Sequence, residues 1–229
     1  MALRLNDTAP DFTAQTTDGE ISFHDWIGEG WALLFSHPKD FTPVCTTELG
    51  TVAGMKDDFA ARNCKIIGIS VDGVNDHAGW KADIAAATGN QVDYPLIGDP
   101  TLEIVKAYDM LPADAGGASA GRTAADRTAA DRTAADNATA RTVFIIGPDK
   151  TIKAQLTYPM TTGRNFDEIL RVIDSMQLTA KHQVATPAQW QQGDKVIITP
   201  AVSDEDAKER FGDFEQPVAY VRFTDQPSD

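Results

Sequence analysis

Trp31-Ala32-Leu33-Leu34-Phe35-Ser36, running into His37-Pro38-Lys39-Asp40-Phe41-Thr42-Pro43-Val44-Cys45-Thr46-Thr47-Glu48-Leu49, is the stretch on which the fold turns. Its first five residues are an unbroken apolar run closed by Ser36, the mark of a strand buried on both faces rather than one. From Cys45 to Ala61, Leu49, Val52, Phe59 and Ala60 recur at helical spacing, and Lys65-Ile66-Ile67-Gly68-Ile69-Ser70-Val71 is a second buried run. Strand, loop, helix and strand in that order predict a parallel βαβ crossover and an α/β fold.

Working outward, Asp18-Gly19 predicts a hairpin turn between Phe12-Thr13-Ala14 and Ile21-Ser22-Phe23. Asn75 to Thr88 predicts a helix stopped by Gly89, and Asp99-Pro100 predicts another, with Asp99 as cap and Pro100 at its first position. Thr142–Ile146 and Thr151–Thr157 flank Gly147-Pro148-Asp149-Lys150, too short a connection for anything but an antiparallel hairpin, so the sheet is expected to be mixed. Asn165-Phe166-Asp167-Glu168 predicts a capped helix start, with the helix running to about Met176. Beyond about 180 only short pieces remain, Val196–Ile198, Ser203–Phe211 and Val218–Phe223, which predict a small C-terminal appendage. Arg122-Thr123-Ala124-Ala125-Asp126 recurs at 127–131 and 132–136. A period of five fits neither a helix nor a strand face, so 112–140 is expected to be a mobile loop outside the core.

The 229 residues are 42% hydrophobic, with 34 acidic and 20 basic side chains for a net charge of −14. That apolar fraction supports a real core and excludes disorder throughout. Nucleic acid is an unsuitable partner, because phosphates are neutralised by lysine and arginine and no basic run exists here. No apolar run nears the roughly 20 residues needed to span a bilayer, and Met1–Asp7 lacks the apolar stretch of a signal peptide, so a cytoplasmic protein without a membrane partner is expected. The acid is mostly Asp, 26 against 8 Glu, and eight acids face three bases between Ala201 and Asp229. Two cysteines cannot form a disulfide framework, which fits a reducing compartment.

Cys45 follows a buried strand and opens a helix, where free N–H groups and the macrodipole favour an anion. Pro38 and Pro43 stiffen the loop and remove two donors from it. A free thiol titrates near about 8.5, and lowering that by about 2.5 units takes roughly 3.4 kcal/mol. A helix end supplies only about 0.3–2 kcal/mol, so a cation must help. Arg141, just before a core strand, and Arg164, just before the capped helix, are the candidates. The bland alternative is that Cys45 is a small buried hydrophobe.

Pro38-x-x-x-Thr42-x-x-Cys45 resembles the active-site signature of peroxiredoxins, thiol peroxidases of thioredoxin-like fold. The wider string Phe35–Leu49, with Thr161-Thr162-Gly163-Arg164-Asn165-Phe166-Asp167-Glu168-Ile169, is similar to the one-Cys subfamily, archaeal members included. The resemblance implies a thioredoxin-like α/β fold with a mixed central sheet: a peroxidase domain over 1–165 and, over 166–229, a helix plus a dimerisation extension. It implies that Cys45 is the peroxidatic cysteine, that the Thr42 hydroxyl hydrogen-bonds it and the peroxide, that Pro38 shields it, and that Arg141 is the pocket arginine. Glu48, Arg164 and His37 match supporting positions, and Glu48 is expected to be held by one of the two arginines. The implied substrates are hydrogen peroxide and organic hydroperoxides, the implied reductant an external thiol, either a thioredoxin-like protein or a small molecule. No cofactor is implied. The implied assembly is a homodimer, with a decamer of five dimers as its larger form.

Cys64 lies 19 positions after Cys45, at the far end of the expected helix. At 1.5 Å per residue that is roughly 25 Å, against the ~7 Å a disulfide allows, so a one-Cys cycle is expected. Two rivals stay open: a two-Cys cycle through Cys64 between subunits, and an oligomeric chaperone or redox sensor using Cys45. Animal one-Cys relatives also carry a phospholipase serine in a Gly-Asp-Ser-Trp-Gly segment. Here the segment reads Gly28-Glu29-Gly30-Trp31-Ala32, so although His24 and Asp149 are present no lipase activity is expected. His77 and His182 stand alone in the sequence without ligand spacing, and no metal site is expected. No dinucleotide fingerprint and no Cys-x-x-Cys occurs.

Overall fold

The computed structural model describes residues 3–113 and 138–228. The chain divides between Arg164 and Asn165 into two compact units.

The first unit runs β1 (Thr13–Thr16), β2 (Gly19–Ser22), α1 (Phe23–Ile27), β3 (Trp31–Ser36), α2 (Pro43–Gly54), α3 (Lys56–Ala61), β4 (Cys64–Ser70), α4 (Val74–Thr88), β5 (Leu96–Gly98), α5 (Glu103–Ala107), β6 (Arg141–Ile146) and β7 (Ile152–Tyr158). Seven strands form one sheet in the order β2-β1-β5-β4-β3-β6-β7. β3, β4 and β5 are parallel neighbours, while β6 and β7 on one side and β1 and β2 on the other are antiparallel. The mixed sheet predicted from the short 147–150 connection is therefore present. Every residue of β3 and of β6 is buried, as the apolar runs Trp31–Phe35 and Val143–Ile146 at the centre of a covered sheet require. One face of that sheet closes over Phe23, Leu34, Ile67, Ile69, Tyr108 and Phe144.

Four elements differ from their sequence reading. The helix expected over 45–61 is two: Met55, at φ −99° and ψ 9°, leaves the helical basin between α2 and α3. The second half of α2 is committed to its neighbours, Tyr94 donating to the Leu49 carbonyl at 3.0 Å and Asn90 to that of Gly50 at 3.0 Å. A Cβ on Gly50 would stand 2.3–2.6 Å from the Thr88 side chain, so this approach needs glycine. Cys64 consequently is the first residue of β4, opposite Trp31, not the end of a helix. α5 starts at Glu103 rather than Pro100, because Asp99 reaches over a turn and accepts from the amides of Glu103, Ile104 and Val105. The hairpin turn is Thr17-Asp18, with Gly19 at φ 105° already paired to Thr16.

Most of the 112–140 segment, the pentapeptide repeat included, lies outside the described residues. Its C-terminal end is fixed rather than mobile: Thr139 is buried with its hydroxyl on the His37 carbonyl, and the Ala140 amide donates to the Met110 carbonyl at 2.9 Å.

The second unit holds α6 (Phe166–Lys181), β8 (Val184–Ala185), β9 (Val196–Ile198), α7 (Asp204–Phe211), β10 (Glu215–Val218) and β11 (Val221–Thr224). The Asn165 side chain accepts from the amides of Asp167 and Glu168, and α6 runs a turn past its expected end at Met176. The short pieces beyond 180 form a four-stranded sheet, β10-β11-β9-β8, over small cores built on Trp190 and Ile198.

Candidate active site

β3 delivers the chain to the loop His37–Thr42, and α2 carries it away. Thr42, at φ −118° and ψ 147°, is the N-cap and Pro43 the first helical residue, so Cys45 stands in the first turn, fully buried. The first helical bond runs from the Thr46 amide to the Thr42 carbonyl. The amides of Val44 and Cys45 precede it and, among the described residues, donate to nothing, leaving two N–H groups at the positive end of the helix dipole.

Arg141, the first residue of β6, comes to Cys45 from the opposite side. Its Nη1 lies 3.4 Å from Cys45 Sγ and 2.6 Å from Glu48 Oε2, while Nε and Nη2 donate to the Met160 carbonyl at 2.8 and 2.7 Å. Glu48, one turn beyond Cys45, also accepts from the Arg164 amide, Nε and Nη2 at 2.9, 2.9 and 2.7 Å. The Arg164 guanidinium lies over the Phe35 ring, 5.1 Å from its centroid. Burial raises the Glu48 pKa, but the hydrogen bonds and charge of Arg164, with Arg141 behind them, outweigh it and hold the carboxyl below its ordinary value. Two guanidiniums against one carboxylate leave one net positive charge beside the sulfur.

Pro38 is buried in the same loop. The hydrogen bond expected from Thr42 to Cys45 is not made: the Thr42 hydroxyl donates to the Lys39 carbonyl at 2.8 Å, leaving its oxygen free to accept. His37 is fully buried, its Nε2 2.7 Å from Asp40 Oδ1 and its Nδ1 without a partner. His77 does not stand alone, as its sequence position suggested: Nδ1 is 2.5 Å from Asp40 Oδ2 and Nε2 3.0 Å from the Ile97 carbonyl. Asp40 and the Met160 carbonyl are parts of the site that sequence reasoning missed. Asp40 sits inside the quoted motif, but its partner is 37 positions away on another element, and a carbonyl leaves no side-chain signal.

Cys64 is 4% exposed, and burial pushes its thiol up to about 12. A thiol so rarely ionised is a poor nucleophile at neutral pH. At the lipase-like segment, a Cβ on Gly30 would stand 2.8 Å from the Asn63 carbonyl oxygen. His24 Nε2 is spent on the Ala9 carbonyl and Asp149 on Lys153 and Thr151, so no triad forms there.

Residues 5–155 match the AhpC/TSA family, and residues 175–213 match the C-terminal domain of 1-Cys peroxiredoxin. The chain is 46% identical over 235 residues to peroxiredoxin-6 of Gallus gallus, covering 98% of each. A cysteine-to-serine mutant of peroxiredoxin 6 of Arenicola marina superimposes with a TM-score of 0.88 at 45% identity, covering 100% of both chains. A yeast mitochondrial 1-Cys peroxiredoxin, described by its thiol resolving mechanism via glutathione/thioredoxin systems, superimposes at 0.82 and 45% identity over 97% of this chain and 99% of its own. With a buried cysteine at a helix start, an arginine on its sulfur and relatives matched from end to end, the chain belongs to the AhpC/TSA family, on its one-Cys peroxiredoxin branch, and is a thiol-dependent peroxidase of thioredoxin-like fold.

Proposed function

We propose that Cys45 is the thiolate that attacks peroxide, and that Arg141 is the group that receives the charge the reaction creates. The observation that carries this is Nη1 of Arg141 at 3.4 Å from Cys45 Sγ, held there by Glu48 and the Met160 carbonyl. In the step itself the S–O bond forms as the O–O bond breaks, and the leaving oxygen takes the electron pair. Arg141 and the two unbonded amides of Val44 and Cys45 stabilise that oxygen until a proton makes it water or an alcohol. Thr42 orients the peroxide as an acceptor of its O–H, Pro38 covers the sulfur, and Glu48 with Arg164 fixes the guanidinium. His37 brings a buried lone pair to the same loop.

Cys45 is left as a sulfenic acid. A first external thiol displaces water from it to give a mixed disulfide, and a second releases Cys45 and leaves as the disulfide of the reductant. A small thiol such as glutathione, or a thioredoxin-like protein, fits a site whose only other cysteine is buried and inert. Residues 166–229 serve as a dimerisation extension, with five dimers forming a decamer, in the cytoplasm.

Intact mass after one equivalent of hydrogen peroxide tests the chemistry. One added oxygen, removed by thiol and absent from Cys45→Ser, is the expected result. A disulfide through Cys64, or equal peroxide consumption by Cys45→Ser, would overturn it and favour the two-Cys cycle or the non-enzymatic sensor.

A further inference from the structure

The loop that carries Pro38 and Thr42 is held from inside by a network in which protons can be counted. The Ile97 carbonyl only accepts, so His77 Nε2, 3.0 Å away, carries a proton. Asp40 also accepts when ionised, and its pKa is pulled down to about 2: burial raises it, but the hydrogen bonds from His37 and His77 prevail. An ionised Asp40 makes donors of both ring nitrogens that face it, His77 Nδ1 at 2.5 Å from Oδ2 and His37 Nε2 at 2.7 Å from Oδ1. Among the described residues the Nδ1 of His37 has no partner, and burial of that ring lowers its pKa and keeps it neutral.

The same loop is strained. Phe41 has φ 54°, a left-handed conformation that costs on the order of 1–3 kcal/mol in a non-glycine residue and persists only where its surroundings enforce it. Asp40, next to it, supplies the enforcement: its carboxylate is bound to α4 through His77, and its amide donates to Asp72 Oδ2 at 2.9 Å, which also holds the Ser70 hydroxyl. Trp80, on the same helix as His77, packs against both His37 and Phe41, with ring centroids 5.5 and 6.0 Å away. His37, Asp40 and His77 could in principle ligate an ion, since their ligand atoms lie within 4.8 Å of one another. Nitrogens and oxygens sharing a tetrahedral ion at about 2.0 Å stand roughly 3.3 Å apart, whereas these pairs are 2.7 and 2.5 Å apart, the spacing of shared protons.

We infer that Asp40 and His77 are positioning residues for the peroxide step: a buried carboxylate–imidazolium pair that locks the His37–Thr42 loop to α4 and fixes His37 in its Nε2–H tautomer. The inference rests on Cys45 being the reacting thiol, which the Cys45→Ser comparison tests separately.

Nitrogen NMR of the ring-labelled full-length protein at neutral pH reads the network directly. His77 is expected to carry protons on both ring nitrogens and His37 on Nε2 alone, and in the isosteric Asp40→Asn variant His77 is expected to lose one. Rapid-mixing kinetics of Cys45 oxidation by hydrogen peroxide give the functional arm. Asp40→Asn and His77→Gln should each slow it roughly 10- to 100-fold, the range for reacting groups displaced by about an ångström. The double variant should lose no more than either alone, because the two residues act as one device. A singly protonated His77 in the wild type, oxidation of Asp40→Asn at the wild-type rate, or losses that multiply in the double variant would each overturn the assignment. If Asp40→Asn does not fold, the wild-type spectrum alone decides.

Discussion

Glu48 has no free valence: four N–H donors from two arginines converge on its two oxygens, and the residue is only 3% exposed. Glu48→Gln keeps the shape but removes the buried carboxylate that the two guanidiniums share, and removing one member of such a pair typically costs about 3–5 kcal/mol. Denaturant unfolding should show that loss, and peroxide oxidation of Cys45 should slow roughly 10- to 100-fold as Arg141 loses its fixed position. Asp40 gives a pH signature. Its native pKa, about 2, lies below the ordinary 3.8, so its contribution is present in full above the ordinary value and is lost as pH falls toward 2. The difference corresponds to about 2 kcal/mol. His37 works in the same sense from higher pH, because its native pKa lies below 6.5 and the folded state resists protonation that the unfolded chain accepts. Acidification should therefore destabilise the protein first below about 6.5 and again below about 3.8, and Asp40→Asn should erase the second step in unfolding free energies measured against pH. Cys64 is the counterexample, a thiol raised to about 12 by burial. Cys64→Ser should turn over with a thiol reductant at the wild-type rate, and non-reducing gels of peroxide-treated wild type should show no covalent dimer.

α2 illustrates how packing decides against intrinsic propensity. Replacing a glycine inside a helix by alanine ordinarily gains about 0.5–1 kcal/mol. At Gly50 the new Cβ would meet Thr88 Oγ1 at 2.3 Å, Cγ2 at 2.5 Å and Cβ at 2.6 Å, so the sign should reverse. Gly50→Ala is expected to destabilise by roughly 1–3 kcal/mol, the usual cost of overpacking. Thr88→Ala should restore only part of it, since the Thr88 Cβ remains too close; thermal melts of the single and double variants measure both effects. The same helix marks how far the sequence could be read. β3, β4, the 141–158 hairpin and the Asn165 cap were legible because each is written in a local pattern: an apolar run, a short connection, a capping side chain. Cys45, Arg141, Glu48 and Arg164 were legible through their motif and the need for a cation. The break at Met55 and the His37–Asp40–His77 network were not, because each depends on a partner dozens of residues away or on a backbone angle that no residue type dictates, and the late start of α5 was not, because Asp99 caps it from four to six residues back rather than from the usual two or three.

At the scale of the molecule, a chain of net charge −14 sets Cys45 beside two buried arginines, where burial keeps their field from being screened by solvent. A further consequence concerns the segment between Met110 and Ala140. Its ends are fixed to each other by the Ala140 amide on the Met110 carbonyl, and its last residues are tied to the His37–Thr42 loop by the Thr139 hydroxyl on the His37 carbonyl. Strain imposed at 138–140 would thus reach His37, whereas shortening the connection changes the entropy of closing its ends. Deleting the three pentapeptides, 122–136, leaves residues 111–121 and 137–139 to span a gap already closed by one hydrogen bond. That roughly halves the connection, and halving a loop lowers its closure cost by about 0.6 kcal/mol. The deletion variant should therefore unfold at a slightly higher denaturant concentration and react with peroxide at the wild-type rate. A marked loss of Cys45 reactivity in a folded deletion variant would instead give the repeat a part in the active site.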